Sequence, residues 1–143
     1  MHYFVDEDLD GPAFVDPLRT AGIALTRHRD LFAQGTPDTT WLPHVARLGH
    51  VVLTSDTRMR FTPLEVAAIN TSNARVLFVR KRANTTHPML AELVIRSHEV
   101  VAEYFARCKI GCVAVLTRRS PSQDPNDSRP GRLVFPAIFG HQR

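Results

Sequence analysis

The 143-residue chain has few of the residues that mark several common protein classes. Its two cysteines, Cys108 and Cys112, are too few for a disulfide framework, and a C-x₃-C spacing without a second pair is a weak metal motif. We therefore expect both cysteines to be buried and reduced. No apolar run approaches the ~20 residues that a membrane span requires, so we expect no membrane partner.

The first residues also lack the basic stretch with which a secretory signal begins. Acids follow the apolar run Tyr3-Phe4-Val5 at once, so we expect no signal peptide and a cytoplasmic location. Lysine is scarce, with only Lys81 and Lys109. Hydrophobic residues nevertheless make up 43% of the chain, which is enough to build the core of one domain.

The net charge of +4 conceals two halves of opposite sign. Residues 1–56 carry eight acids and four bases, whereas residues 57–143 carry fourteen bases and six acids. This asymmetry suits a site that holds cations beside a surface that holds polyanions. The alternative interpretation is that the basic balance reflects only an arginine-rich proteome.

Short apolar runs alternate with helical patterns, which predicts an α/β fold with a mostly parallel sheet flanked by helices. We predict strands at 3–5, 23–26, 51–54, 76–79 and 113–116, and helices at 12–21, 37–48, 63–69 and 88–107. Residues 28–36 have the composition of a polar loop. We assign residues 1–119 to one domain and residues 120–143 to a linker with a terminal edge strand at 133–135.

Charged side chains follow the predicted strands at the point where each strand ends. Asp6 and Asp8 come after the first strand, and Asp56 comes after the third. Because the carboxyl ends of parallel strands meet at one edge of a sheet, these carboxylates should converge there. Neighbouring carboxylates repel one another, and a divalent cation such as Mg²⁺, which prefers oxygen ligands, would relieve that repulsion.

The remaining polar residues of this region have simpler explanations. Thr54 is placed to hydrogen-bond an acid or a metal-bound water, and Glu7 should face solvent. Asp10 is explained as a turn or helix-capping residue before Gly11-Pro12. Taken alone, Asp38 is better explained as a helix-start acid that the helix dipole favours.

Three short motifs nevertheless occur in a characteristic order. They are an apolar strand followed by Asp6-x-Asp8-Leu9, then Thr36-Pro37-Asp38-x-x-Trp41, then Val51-Val52-Leu53-Thr54-x-Asp56-x-Arg58. This order resembles the PIN-like nucleases, and within them the VapC-type toxins of bacterial toxin–antitoxin pairs. The resemblance covers residues 2–60 well and extends loosely to about residue 107.

The resemblance implies a PIN-like three-layer fold and a metal-dependent endoribonuclease that hydrolyses RNA with Mg²⁺ or Mn²⁺. It implies catalytic roles for Asp6, Asp38 and Asp56, and a metal-binding role for these three and Asp8. Its implied partners are RNA, a cognate antitoxin and a second copy in a homodimer. The chain departs from the family pattern at Arg58, where many PIN domains carry a further acid, so a second metal site is not implied.

Basic residues beyond the strands predict how RNA would be held. The run Arg80-Lys81-Arg82 follows the fourth strand, and Arg58 follows the third-strand motif. We assign these four residues to RNA phosphates, because Lys and Arg supply most of the contacts to nucleic-acid backbones. The alternative interpretation is that they are solvated strand ends.

Two other functions fit parts of the sequence. A non-catalytic PIN-like module would bind RNA or a partner through the same basic residues without cutting. A haloacid-dehalogenase-type phosphatase would explain the apolar strand before Asp6-x-Asp8, but that chemistry needs a later lysine and a further acidic pair after a strand. We expect surface or capping roles for the seven histidines, a core role for Trp41, and no zinc site.

Overall fold

The computed structural model describes residues 1–56, 62–108, 111–119 and 127–135. Strands and helices alternate along these ranges, as predicted for an α/β fold. The elements are β1 (Tyr3–Val5), α1 (Pro12–Thr20), β2 (Leu25–Arg27), α2 (His28–Leu31), α3 (Asp38–Arg47), β3 (Val51–Thr54), α4 (Pro63–Ser72), β4 (Arg75–Val79), α5 (His87–Ala106), β5 (Cys112–Thr117) and β6 (Arg132–Val134).

One six-stranded sheet organises the fold, with strand order β2-β1-β3-β4-β5-β6. The first five strands are parallel, so all of them end at the same edge. The predicted terminal edge strand occurs at Arg132–Val134 and pairs antiparallel with β5. Because β6 runs the opposite way, its first residue, Arg132, lies at the edge where the other strands end.

Helices cover both faces of the sheet, which confirms the three-layer α/β architecture. Side chains along a strand point alternately to the two faces of the sheet, so Tyr3 and Val5 of β1 belong to one hydrophobic core and Phe4 belongs to the other. The first core is completed by Phe14 and Leu18 of α1 and by Leu90, Val94 and Val101 of α5. The second is completed by Trp41, Leu42 and Val45 of α3 and by Ile69 of α4.

The long helix α5 shows how local sequence and packing agree. Thr86 caps its amino end by accepting a hydrogen bond from the backbone N–H of Met89 at 3.3 Å, and Pro88 occupies the first turn. The buried residues recur at helical spacing, as predicted. No helix in the described ranges is long and apolar enough to span a lipid bilayer.

Two predictions between β1 and α3 are wrong. The second strand lies at Leu25–Arg27 rather than 23–26, and the predicted polar loop begins with the short helix α2. This helix is held by Asp30, whose carboxylate accepts from the backbone N–H of Arg27 at 2.9 Å. Its first residue, His28, is buried with 1% exposure, so the expected surface role of this histidine is wrong as well.

Details of α3 also differ from prediction. The helix predicted at 37–48 begins at Asp38 and ends at Arg47. The hydroxyl of Thr36 donates to the carbonyl of Ala33 at 2.6 Å, and Leu48, which follows the last helical turn, is 48% exposed. The predicted core position of Trp41 is confirmed by its complete burial.

The cysteines form a disulfide, contrary to the expectation of reduced thiols. Cys108 follows α5 and Cys112 begins β5, so the bond lies at the amino edge of the sheet. The helix-to-strand connection brings the two Cα atoms to 6.3 Å, a separation that a disulfide can span. Their spacing of four in the sequence does not reveal this approach.

Candidate active site

Asp6 lies at the edge of the sheet where the parallel strands end. It directly follows β1, which lies between β2 and β3, and is 4% exposed. Its Oδ1 accepts from the backbone N–H of Glu7 at 2.8 Å, and its Oδ2 accepts from the hydroxyl of Thr54 at 2.9 Å. The buried carboxylate is therefore held in one orientation by the neighbouring strand β3.

Thr54 connects three of the predicted acids. Besides its bond to Asp6, its hydroxyl lies 3.3 Å from Oδ1 of Asp8 and accepts from the backbone N–H of Asp56 at 3.1 Å. The other oxygen of Asp8 accepts from both the backbone N–H and the hydroxyl of Ser55. The end of β3 thus fixes both carboxylates that follow β1.

Burial makes ionisation of these acids costly. Burial and, to a smaller extent, the nearby charge of Asp8 raise the pKa of Asp6 to about 8, although the Thr54 hydrogen bond opposes the shift. Burial also raises the pKa of Asp8, to which the charge of Asp56 contributes. In the absence of a compensating cation, Asp6 therefore tends to retain its proton at neutral pH.

Asp38 approaches the same group from the start of α3. Burial, together with the charges of Glu65, Asp56 and Glu7, raises the pKa of Asp38 to about 6. The indole N–H of Trp41 points toward this carboxylate closely enough to oppose the shift, although the two do not meet in full hydrogen-bond geometry. Asp38 is also among the charges that raise the pKa of Asp6. The structure thus places each of the four predicted acids within electrostatic range of two of the others.

The structure adds residues that sequence reasoning missed. Glu65 lies in the first turn of α4 and faces Asp38, but no strand precedes it, so the strand-end rule could not identify it. Glu7 is exposed, as expected, but it also acts on Asp38 and accepts from the backbone N–H of Gly35 at 3.2 Å. Asp10 is not a cap, because its carboxylate pairs with the Arg29 guanidinium at 2.8 Å.

The predicted RNA-binding residues extend the same edge toward β6. Arg80 and Lys81 are exposed just beyond β4, and Arg82 donates to the hydroxyl of Thr117 at 3.3 Å. Arg58 lies outside the described residues. Further bases follow β5 or begin β6, namely Arg118, Arg119 and Arg132. The acids on β1 and β3 therefore adjoin bases on β4, β5 and β6.

The donor chemistry of the acids suits Mg²⁺ or Mn²⁺, because all of the ligating atoms would be carboxylate oxygens. Within the described ranges, no group of three or more His, Cys, Asp or Glu side chains encloses a position for a metal ion. Mg²⁺ commonly needs only one or two carboxylates together with waters and substrate phosphate. Asp6 and Asp8, joined through Thr54, fulfil that smaller requirement.

Comparison with known proteins gives one match. A family described as "PIN like domain" matches residues 1–81, which include β1 to β4 and every acid of the candidate site. No curated protein and no solved structure matches the chain.

Proposed function

Because the chain belongs to the PIN-like domain family, a superfamily of nucleases, we propose that it is an Mg²⁺- or Mn²⁺-dependent endoribonuclease. The observation that carries this proposal is the carboxylate pair of buried Asp6 and half-buried Asp8, both in contact with Thr54 at the ligand-binding edge of the sheet. In the proposed enzyme, Asp6, Asp38 and Asp56 are catalytic, and these three together with Asp8 hold the metal.

Each acid has a distinct task in this proposal. Asp6 and Asp8 would hold the cation, and Thr54 and Ser55 restrain their carboxylates by hydrogen bonds. Asp38 and Asp56, which lie within electrostatic range of each other, would help to hold the cation and to orient the attacking water. A bound divalent cation would supply water activation and stabilise the charge that develops on the phosphodiester oxygens.

RNA is the proposed substrate because the edge changes sign along the strand order. The acidic end of β1 and β3 repels phosphates unless a cation is bound, whereas Arg80, Lys81 and Arg82 beyond β4 attract them. A strand of RNA held by these bases would have its neighbouring phosphate over Asp6. Arg58 is proposed to contribute from the segment after β3.

The narrower biological role rests on the likeness to VapC-type toxins in the sequence motifs. We propose that the protein acts as the toxin of a toxin–antitoxin pair, forms a homodimer and is restrained by a cognate antitoxin protein. Co-expression with the product of a small neighbouring gene should relieve growth inhibition. If no neighbouring gene product relieves the growth inhibition, the toxin proposal is contradicted and the nuclease proposal is unaffected.

A non-catalytic RNA-binding module is the second candidate function. In the described ranges, no group of three residues encloses a position for a metal ion, and a protein that only binds RNA does not need such a group. The family match favours both PIN-like functions over the phosphatase alternative. RNA binding that is unaffected by Mg²⁺ and leaves the RNA intact would support this second candidate.

The nuclease proposal is tested by cleavage of a labelled RNA pool with Mg²⁺, with Mn²⁺ and with EDTA. Cleavage should require a metal and should fall at least a hundredfold in Asp6→Asn and Asp56→Asn, because a metal or its water would be misplaced. Asp16→Asn is the matched control, since Asp16 is exposed on α1. Cleavage that persists in EDTA would refute a metal-dependent mechanism.

A further inference from the structure

A polar cavity adjoins the acids on the side of β2. It has a volume of about 330 Å³ and is lined by Glu7, Asp10, His28, Arg29 and Gln34. This volume lies at the lower end of the range found for small-ligand sites, ~300–1,000 Å³. Glu7 connects the cavity to the candidate active site, because its backbone N–H holds Asp6 and its carboxylate acts on Asp38.

His28 is the feature of this cavity that requires an explanation. Its side chain is 1% exposed, yet its Nε2 has no hydrogen-bond partner among the described residues. Phe4, Phe32 and Trp41 surround the imidazole ring, with ring centroids 5.7–6.0 Å away. Because it is unfavourable to leave a buried polar atom unpaired, a group that enters the cavity and pairs with Nε2 would be bound more tightly.

Glu7 stands opposite this nitrogen. Its Oε1 lies 4.0 Å from Nε2 of His28, too far for a direct hydrogen bond. Gly35 donates to the carboxylate at 3.2 Å and fixes its position. The two side chains therefore present a carboxylate acceptor and an imidazole nitrogen, side by side, to a ligand in the cavity.

The other lining residues indicate that this ligand is neutral. Asp10 and Arg29 already satisfy each other at 2.8 Å. The Arg29 guanidinium opposes a cation, and the Glu7 carboxylate opposes a phosphate. A flat group with both donors and acceptors remains, and an unstacked RNA base has this chemistry.

We propose that the cavity binds a guanine base of the RNA substrate next to the cut site. Guanine presents two adjacent N–H donors, at N1 and N2, that one carboxylate can accept together, and its O6 lies beside them to accept from Nε2–H of His28. On the same edge, adenine and cytosine offer the carboxylate one amino group beside a ring-nitrogen acceptor, and uracil offers one ring N–H between two carbonyl acceptors. This inference rests on the proposed function, because it places the guanine within one nucleotide of the phosphate at Asp6.

Binding of pentaribonucleotides in EDTA tests the pocket separately from cleavage. The probes are UUGUU, the same sequence with inosine in place of guanosine, and UUAUU, each measured by fluorescence anisotropy with the full chain. Inosine lacks the N2 amino group, so it should bind about tenfold more weakly than guanosine, and adenosine should bind at least as weakly. Equal affinities for guanosine and inosine would overturn the proposal.

Two variants connect the preference to the cavity. Glu7→Gln retains an acceptor for Gly35 but can no longer accept both N–H groups, so the tenfold preference for guanosine over inosine should disappear. Glu99→Gln, an equal charge change on the exposed face of α5, should retain it. If Glu7→Gln still prefers guanosine over inosine, guanine is recognised at another site. If this variant does not fold, the comparison of guanosine with inosine in the wild type still tests the proposal.

Cleavage assays distinguish this inference from the nuclease proposal. If the protein cuts RNA with metal but binds guanosine no better than inosine in EDTA, the guanine pocket is rejected and the nuclease proposal stands. If it prefers guanosine but does not cut RNA with metal, the pocket stands and the nuclease proposal is rejected. The proposal expects both, with cuts adjacent to guanosines.

Discussion

The hydroxyl of Thr54 donates to Oδ2 of Asp6 at 2.9 Å, and both residues are buried where β1 and β3 end side by side. The same hydroxyl lies near Asp8 and accepts from the backbone of Asp56. A single side chain that is itself not an acid thus sets the positions of three acids.

Thr54→Val tests this arrangement, since valine has the shape of threonine without the hydroxyl. We expect a loss of ~1–3 kcal/mol in unfolding free energy at pH 9, where Asp6 is ionised and needs the hydrogen bond. The loss should be smaller at pH 6, where Asp6 is protonated. Urea unfolding in EDTA at both pH values measures the difference, and Thr54→Ser, which keeps the hydroxyl, should not show it. An equal loss at both pH values would contradict the coupling to Asp6.

Stability of the metal-free protein should fall as pH rises through neutrality. The pKa of Asp6 is about 8 in the folded state and 3.8 ordinarily, so between these values the folded chain holds a proton that the unfolded chain has released. Unfolding free energy therefore decreases with pH across this window, on the order of a few kcal/mol in total. Asp38, with a pKa of about 6, adds a smaller decrease at lower pH.

Histidines change the unfolding free energy with pH in the opposite direction, so the wild type must be compared with a variant that lacks the Asp6 carboxylate. Burial lowers the pKa values of His2, His50 and His98, which makes stability rise with pH below about 6.5. Subtracting the profile of Asp6→Asn from that of the wild type isolates Asp6. Saturating Mg²⁺ should flatten or reverse the remaining slope, because the metal binds the ionised carboxylates. A difference profile without slope between pH 5 and pH 8 in EDTA would contradict the assignment.

Glu65 should influence metal binding through Asp38. Removing its charge with Glu65→Gln should lower the pKa of Asp38, because Glu65 is the largest charge acting on that group, and should weaken Mn²⁺ binding about tenfold. Carboxyl NMR titration and Mn²⁺ titration by electron paramagnetic resonance measure the two effects. Glu92→Gln on the exposed face of α5 is the control. A shifted pKa with unchanged Mn²⁺ affinity would place Glu65 near Asp38 but outside the metal site.

The sheet and its acids were accessible to sequence reasoning because each leaves a local signal. Apolar runs such as Tyr3-Phe4-Val5 predict buried strands, and an acid directly after such a run must lie at the ligand-binding edge. Asp6 and Asp56 were identified in this way. Asp38 required the resemblance to PIN-like nucleases, since its position at the start of a helix has an ordinary explanation of its own.

Features that depend on tertiary contact were missed. His28 sits in a polar segment, and its burial follows only from the aromatic rings that α3 and β1 bring around it. Glu65 reaches Asp38 because α4 packs beside α3, a relationship between helices that no short motif records. The disulfide likewise depends on the close approach of Cys108, after α5, to Cys112 at the start of β5.

The bases beyond β4 should carry part of the salt dependence of RNA binding. Arg80 and Lys81 are exposed at the end of this strand, so replacing both with glutamine should remove two phosphate contacts and leave the fold intact. Each contact to single-stranded RNA contributes about 0.7 to the slope of log affinity against log salt, so the slope should decrease by about 1.4. Arg82 is left unchanged because it also holds Thr117.

Arg107→Gln provides the matched control for this measurement. Arg107 is 77% exposed and pairs with Glu103 at the carboxyl end of α5, at the opposite edge of the sheet. Its removal changes the net charge but should leave the salt slope unaltered, because it lies away from the proposed RNA path. Anisotropy titrations in EDTA at several salt concentrations give both slopes. If the double variant and the control have the same slope as the wild type, Arg80 and Lys81 are solvated strand ends, and RNA reaches the acids by another route.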